Sequence, residues 1–179
     1  MTDLDLSSMQ PGDAVVAARS LPRRFRDSAR SAVVEMGSEP GDSRVDEVAA
    51  RTGPDGYSGL DILQAAAEHL GRAQDVLGRA LVDSSTSIPA ELVDQRPVIE
   101  HRDGAGLLDE EVQRVAAAAE RLAEQIDGAD ARRWETTLAV TDGTTTTPLH
   151  LVRQVIATNV LWLRDLERTL RAVRGHPQG

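Results

Sequence analysis

Residues 58–81 read SGLDILQAAAEHLGRAQDVLGRAL, and this stretch decides the fold. Leu60, Leu63, Ala67, Leu70, Leu77 and Leu81 recur every three or four positions and draw one apolar line along a helix. Ile62, Ala66, Ala73, Val76 and Ala80 draw a second line beside it, while Glu68, Arg72, Asp75 and Arg79 carry the wet face. Two adjacent apolar lines mean two packing neighbours, which is the situation of a helix inside a bundle. Ser58 with Asp61 three positions on gives a capping-box start.

The same reading extends outward in both directions. Residues 1–12 read as a flexible lead. From Asp13, the positions Ala14, Ala18, Leu21, Phe25, Ala29, Ala32 and Met36 form a first helix, which Pro22 should kink or restart from Ser20 as N-cap. Residues 37–56 contain four Gly and two Pro and read as a connecting loop with a short helical pattern over Val45–Ala50. Beyond Leu81 the polar segment 82–107, with Pro89 and Pro97, reads as a long crossover between the second and third helices.

A third helix is expected from Leu108 to Ile126, closed by Gly128, with Asp109-Glu110-Glu111 as a solvated start favoured by the helix dipole. Residues 136–147 break the period, because Thr136, Thr137, Val140 and Thr141 are β-branched and Asp142-Gly143 is a hairpin turn signal. Thr147-Pro148 then supplies the cap and first turn of a last helix whose core line runs Leu149, Val152, Ile156, Val160, Leu163, Leu166 and Leu170. The expected architecture is all-α: a four-helix bundle over 13–174, with a β-hairpin-like insertion before the fourth helix and a disordered tail at 175–179.

Composition narrows the function classes. The 179 residues carry a formal charge of −9, and all 20 basic residues are Arg, which looks like the codon bias of a G+C-rich genome more than selection for guanidinium chemistry. A sequence pI near 4.9 without a basic run argues against nucleic-acid binding. The absence of Cys excludes disulfides, thiolate metal sites and a cysteine nucleophile. No apolar run approaches the ~20 residues of a membrane span, and Met1–Gln10 lacks the basic start and apolar core of a signal peptide. A cytoplasmic protein is expected. Neither a P-loop, a Gly-x-Gly-x-x-Gly nor a Gly-x-Ser-x-Gly elbow occurs.

Four short pieces carry a resemblance. Ser20-Leu21-Pro22-Arg23-Arg24-Phe25-Arg26-Asp27, Gly56-Tyr57-Ser58-Gly59-Leu60-Asp61-Ile62-Leu63, Asp130-Ala131-Arg132-Arg133-Trp134-Glu135-Thr136 and Leu163-Arg164-Asp165-Leu166-Glu167-Arg168 follow one another at the spacing of one topology. Together they resemble the DinB-like superfamily, which includes the mycothiol-dependent maleylpyruvate isomerases of bacteria. The second piece is similar to its W-S-x-x-E-V-L pattern, with Tyr57 in place of Trp, and the third to its D-x-x-W-x-x-T step. The resemblance implies a bundle that holds a divalent metal through three mostly His ligands, one on the second helix and two on the fourth. Carried over by position these fall at Ala65, near Ala157 and near Leu161, none of which can ligate a metal. The family's metal chemistry therefore does not transfer.

What remains is a metal-free site. His69 lies in the inward line of Ile62, Ala66 and Ala73, and His150 starts the fourth helix on the face of Gln154, Ala157 and Leu161. They read either as core histidines held by one hydrogen bond or as the catalytic pair of a pocket between the second and fourth helices. Tyr57, Gln154, Asn159 and Trp162 are the candidate ligand-binding partners, and the small residues Ala65, Ala66 and Ala157 should leave space there. His101 and His176 read as solvent-facing. Arg23, Arg24 and Arg26 form a basic cluster that is either surface or a contact for the carboxylates of a thiol cofactor such as mycothiol.

The functional expectation is a small-molecule-binding protein, either a metal-independent thiol-dependent transferase or isomerase, or a non-catalytic ligand-binding or protein-interaction bundle. A homodimer is also expected, because Leu151, Val155 and Trp162 lie outside the core line of the last helix and would otherwise be wet, the alternative being that the 82–107 crossover covers them with Ile88, Leu92, Val93, Val98 and Ile99.

Overall fold

The two apolar lines of residues 58–81 become α3 (Gly59–Val82) in the computed structural model, which describes residues 6–34, 43–93, 98–101 and 106–174. The other helices are α1 (Pro11–Val34), α2 (Ser43–Ala49), α4 (Leu108–Asp127) and α5 (Pro148–Arg174). The strands β1 (Leu138–Ala139) and β2 (Thr145–Thr146) pair antiparallel just before α5. Ser58 and Asp61 form the capping box expected of them, Ser58 Oγ accepting from Asp61 N–H at 3.1 Å and Asp61 Oδ2 accepting from Ser58 N–H at 2.7 Å. Thr147 caps α5 through His150 N–H at 3.2 Å. Among the described residues, no helix is long and apolar enough to cross a membrane.

The four long helices close into a ring in which α1 and α3 each pack against α4 and α5. Gln64 meets Glu111 and Gln74 meets Gln125, so α3 and α4 run parallel. His69 of α3 meets Asn159 of α5, whereas Gly59 at the start of α3 lies against Leu166 and Leu170 near the end of α5, so these two are antiparallel. A Cβ at Gly59 would stand 2.9 Å from Leu170 Cδ2, so any larger residue here would force the Leu170 side chain to shift. Leu21, Phe25, Leu63, Leu70, Leu122 and Ile126 are wholly buried at the centre.

The crossover after α3 is ordered by the hairpin. Ile88 N–H donates to Ala139 O at 2.8 Å, Thr141 N–H donates to Ile88 O at 2.9 Å, and Ala90 N–H donates to Thr141 Oγ1 at 3.0 Å. Ile88 and Leu92 are buried in the main core. The Asp142-Gly143 turn forms as read, with Gly143 at φ +88° and Asp142 Oδ1 accepting from Thr144 N–H and Oγ1.

Several expectations are corrected. The first helix begins at Pro11 and passes through Pro22 without interruption, and Ser20 Oγ donates back to Ala17 O at 2.7 Å instead of capping a new helix. The described part of the lead is anchored: Leu6 and Met9 pack against the core, and Met9 O accepts two hydrogen bonds from Arg153. The short helical pattern read at Val45–Ala50 does form, as α2, and what was not expected is that its Asp46 Oδ1 accepts from Leu108 N–H at 2.8 Å and so caps the start of α4. Glu111 is not solvated; it is buried, with Oε1 held by Gln64 and Arg114. Leu151, Val155 and Trp162 are buried within the single chain, so the apolar surface on which a homodimer was expected does not exist. Met36, Pro97, residues 102–105 and the tail at 175–179 lie outside the described residues.

Because Ile88 joins the core through both its side chain and its backbone, Ile88→Ala is expected to cost about 2–5 kcal/mol in denaturant unfolding, as core truncations do. A loss below about 1 kcal/mol would mean that the crossover lies on the surface and can collapse freely.

Candidate functional site

Positions 61, 65, 68, 69 and 72 share one face of α3, the face turned towards the crossover rather than towards α4. Asp61, Ala65, Glu68, His69 and Arg72 line a cavity of about 190 Å³ that is partly open to solvent and is bordered also by Trp162 of α5 and by Glu91, Val98 and Glu100 of the crossover. Ala65 opens the space one turn before His69, where a larger side chain would fill it. Ala66 is instead wholly buried in the core, and Ala157 does not line the cavity.

One ion pair and one histidine–carboxylate hydrogen-bond contact hold the crossover across this face. Arg72 meets Glu91 at 3.2 Å beside the 3₁₀ turn Ala90–Leu92, and His101 Nδ1 lies 2.9 Å from Asp61 Oδ2. Asp61 is buried and also accepts from the backbone and hydroxyl of Ser58, so one carboxylate caps α3 and fastens the far end of the crossover. His101 is exposed, as read, yet it faces this buried partner.

His69 is, with Asp61, one of two buried titratable groups that line the cavity, and is 7% exposed. Its ring stands nearly perpendicular to the indole of Trp162, with centroids 5.1 Å apart. Asn159, wholly buried, has its amide nitrogen 2.8 Å from Val155 O and 3.3 Å from His69 Nδ1. An amide nitrogen only donates, so Nδ1 accepts and the ring proton is assigned to Nε2. Nε2 has no hydrogen-bond partner among the described residues. Burial, reinforced by the Arg72 charge and partly opposed by Glu91, lowers the His69 pKa from 6.5 to about 4. At neutral pH the imidazole is uncharged and offers one unmatched N–H donor.

The predicted site residues divide into three places. His69 and Trp162 line the cavity, and Asn159 supports His69 from behind. His150 is exposed, with Nε2 3.3 Å from Gln154 Nε2, in a separate depression bordered by Thr144, Thr145, Thr146 and Val140. Glu91 borders both spaces, so the turn that carries it stands between the two histidines. They do not share one pocket as a catalytic pair. Tyr57 is at the α3 N-terminus against Arg168, and burial together with Asp165 and Asp55 raises its pKa. Arg23 pairs with Asp27 on the outside of α1, away from the cavity, so the basic cluster is surface.

Among the described residues, no group of three or more His, Asp and Glu side chains is placed to hold a metal ion. The contributions of Glu91, Val98, Glu100 and the Asp61–His101 pair were not legible beforehand, because the crossover has no period from which to read its facing side. The chain matches no family model, no curated protein and no solved structure.

His69 also makes stability depend on pH with a definite sign. Its pKa is about 4 folded against 6.5 unfolded, so between these values the unfolded chain binds more protons and stability falls as pH falls. At 1.36 kcal/mol per pH unit the loss from this group approaches about 3 kcal/mol by pH 4. Urea unfolding of wild type and His69→Leu across pH 7 to 4 should show this component only in the wild type. Parallel pH profiles would rule out a buried neutral imidazole.

Proposed function

We propose that the chain is a small-molecule-binding protein of the DinB-like kind, a four-helix bundle without the family's metal ligands whose ligand sits in the cavity at His69. The cyclic packing of α1, α4, α3 and α5, the parallel α3–α4 pair and the crossover between them support the bundle reading. The observation that carries the ligand reading is the unmatched Nε2–H of a buried histidine in the wall of a cavity. A buried donor left unpaired costs about 1–3 kcal/mol, which a ligand acceptor recovers on binding.

The same histidine argues for binding over proton transfer. A group that titrates near 4 is a weak base at neutral pH, and its one lone pair already faces Asn159. The thiol-dependent transferase or isomerase activity implied by the resemblance was expected to use His69 and His150 together, and His150 lines a different space.

The size of the cavity, about 190 Å³, suits one aromatic ring with a short substituent, since an apolar cavity of ~150 Å³ admits benzene. A thermal-shift panel of small phenols and arylamines tests the site. At ten times Kd, linkage adds about 1.4 kcal/mol, which raises Tm by roughly 3–6 °C in a domain of this size. The rise should vanish in Ala65→Phe, which fills the cavity. A panel with no stabilising member, or stabilisation unchanged in that variant, overturns the assignment.

A further inference from the structure

We infer that the cavity takes an uncharged molecule with a single aromatic ring, and that Val98 is the residue that selects for it. The inference rests on the cavity being a ligand site and adds the class of what fills it. Among the described residues, the charged groups of the wall are already engaged within the chain or hydrated. Asp61 accepts from Ser58 N–H and Oγ and lies 2.9 Å from His101 Nδ1. Arg72 meets Glu91 at 3.2 Å, and Glu68 has a partner as well. Glu100 is exposed and so keeps its water. His69, uncharged at neutral pH, enters only as a neutral ring in the wall.

A charged ligand would give up hydration on entering and would then have to take a partner away from a group that already has one. An uncharged ring meets neither cost. What the wall offers it is apolar: Ala65 of α3, the indole of Trp162 and the side chain of Val98. Trp162 is 5% exposed and is held by its edge-on contact with the His69 ring, so it is a fixed surface. Val98 is the opposite case. At 86% exposure it is an aliphatic side chain left almost entirely in water, and of the exposed large hydrophobic residues Val16, Val82, Val98 and Leu107 it alone lines this cavity. A ring seated in the cavity removes apolar surface of Val98 from water, and that gain is available only to a ligand that is itself apolar on this side.

Three probes of nearly one size and shape separate charge from packing: benzyl alcohol, uncharged; benzylamine, a cation at neutral pH; and benzoate, an anion. Calorimetry on the full chain at pH 7 should show benzyl alcohol binding at least about tenfold more tightly than either charged probe. Val98→Ser, a change at an exposed position, should leave Tm unchanged and weaken benzyl alcohol about threefold or more, whereas Val98→Leu should retain its affinity. Ala65→Phe should abolish binding of every probe.

Benzylamine or benzoate binding as tightly as benzyl alcohol, and lost in Ala65→Phe, would overturn the uncharged class while leaving the cavity as a ligand site. Affinity unchanged in Val98→Ser, or lost as fully in Val98→Leu, would overturn Val98 as the selecting residue. No binding by any probe, or binding indifferent to Ala65→Phe, would overturn the cavity as a ligand site together with this inference.

Discussion

Everything distinctive about this molecule follows from α3 and α4 lying parallel. Helix α3 has 24 residues and is therefore ~36 Å long, so the chain that leaves its C-terminal end must travel back along that length before α4 can begin. A tight turn would have set the two helices antiparallel. The returning segment has to go somewhere, and its apolar residues Ile88 and Leu92 go into the core. The cavity is the part of the α3 face that the returning chain spans without filling.

Burying a histidine here has an energetic logic. A charged imidazole would be penalised by desolvation, so the group stays neutral, and Asn159 fixes which nitrogen keeps the proton. The arrangement leaves one donor unmatched in a domain whose total stability is only about 5–15 kcal/mol. Glu111 is a second case of uneven satisfaction. Its Oε1 takes two partners while its Oε2 has none among the described residues, and Gly106 lies close by, where a Cβ would stand 3.4 Å from Oε1. Such positions are where a chain departs from what packing alone would choose.

The helices were legible because their apolar positions repeat at the helical period, and their ends because Ser58, Asp61, Thr147 and Pro148 act locally. The Asp142-Gly143 turn was legible for the same reason. What could not be read depends on partners far away in the chain. Asp61 and His101 are 40 residues apart, and nothing near either names the other. Glu111 sits in an acidic run that satisfies the dipole of α4, and only the arrival of Gln64 from α3 makes it a buried group. Leu151, Val155 and Trp162 lie off the main line of α5 because that helix meets more than the ring on either side: the 3₁₀ turn of the crossover packs on it as well. His69 was found by its place in an apolar line, but its separation from His150 follows from where the turn bearing Glu91 settles.

The short hairpin has a consequence for the order in which the molecule assembles. Ala90 is bonded to Thr141, 51 residues away, and Ile88 pairs with β1 through backbone groups that exist only once the chain beyond α4 has been laid down. Closing so long a loop costs entropy that only the finished hairpin and core can offset, so the crossover docks late, after the helices it covers. A unit that docks late and is fastened by a few backbone bonds, the Arg72–Glu91 pair and the Asp61–His101 contact opens at a lower free energy than the helices it covers. The wall of the cavity is thus a door on the timescale of sub-global unfolding, and the Ile88 and Thr141 amides, which hydrogen-exchange would follow, are its latch.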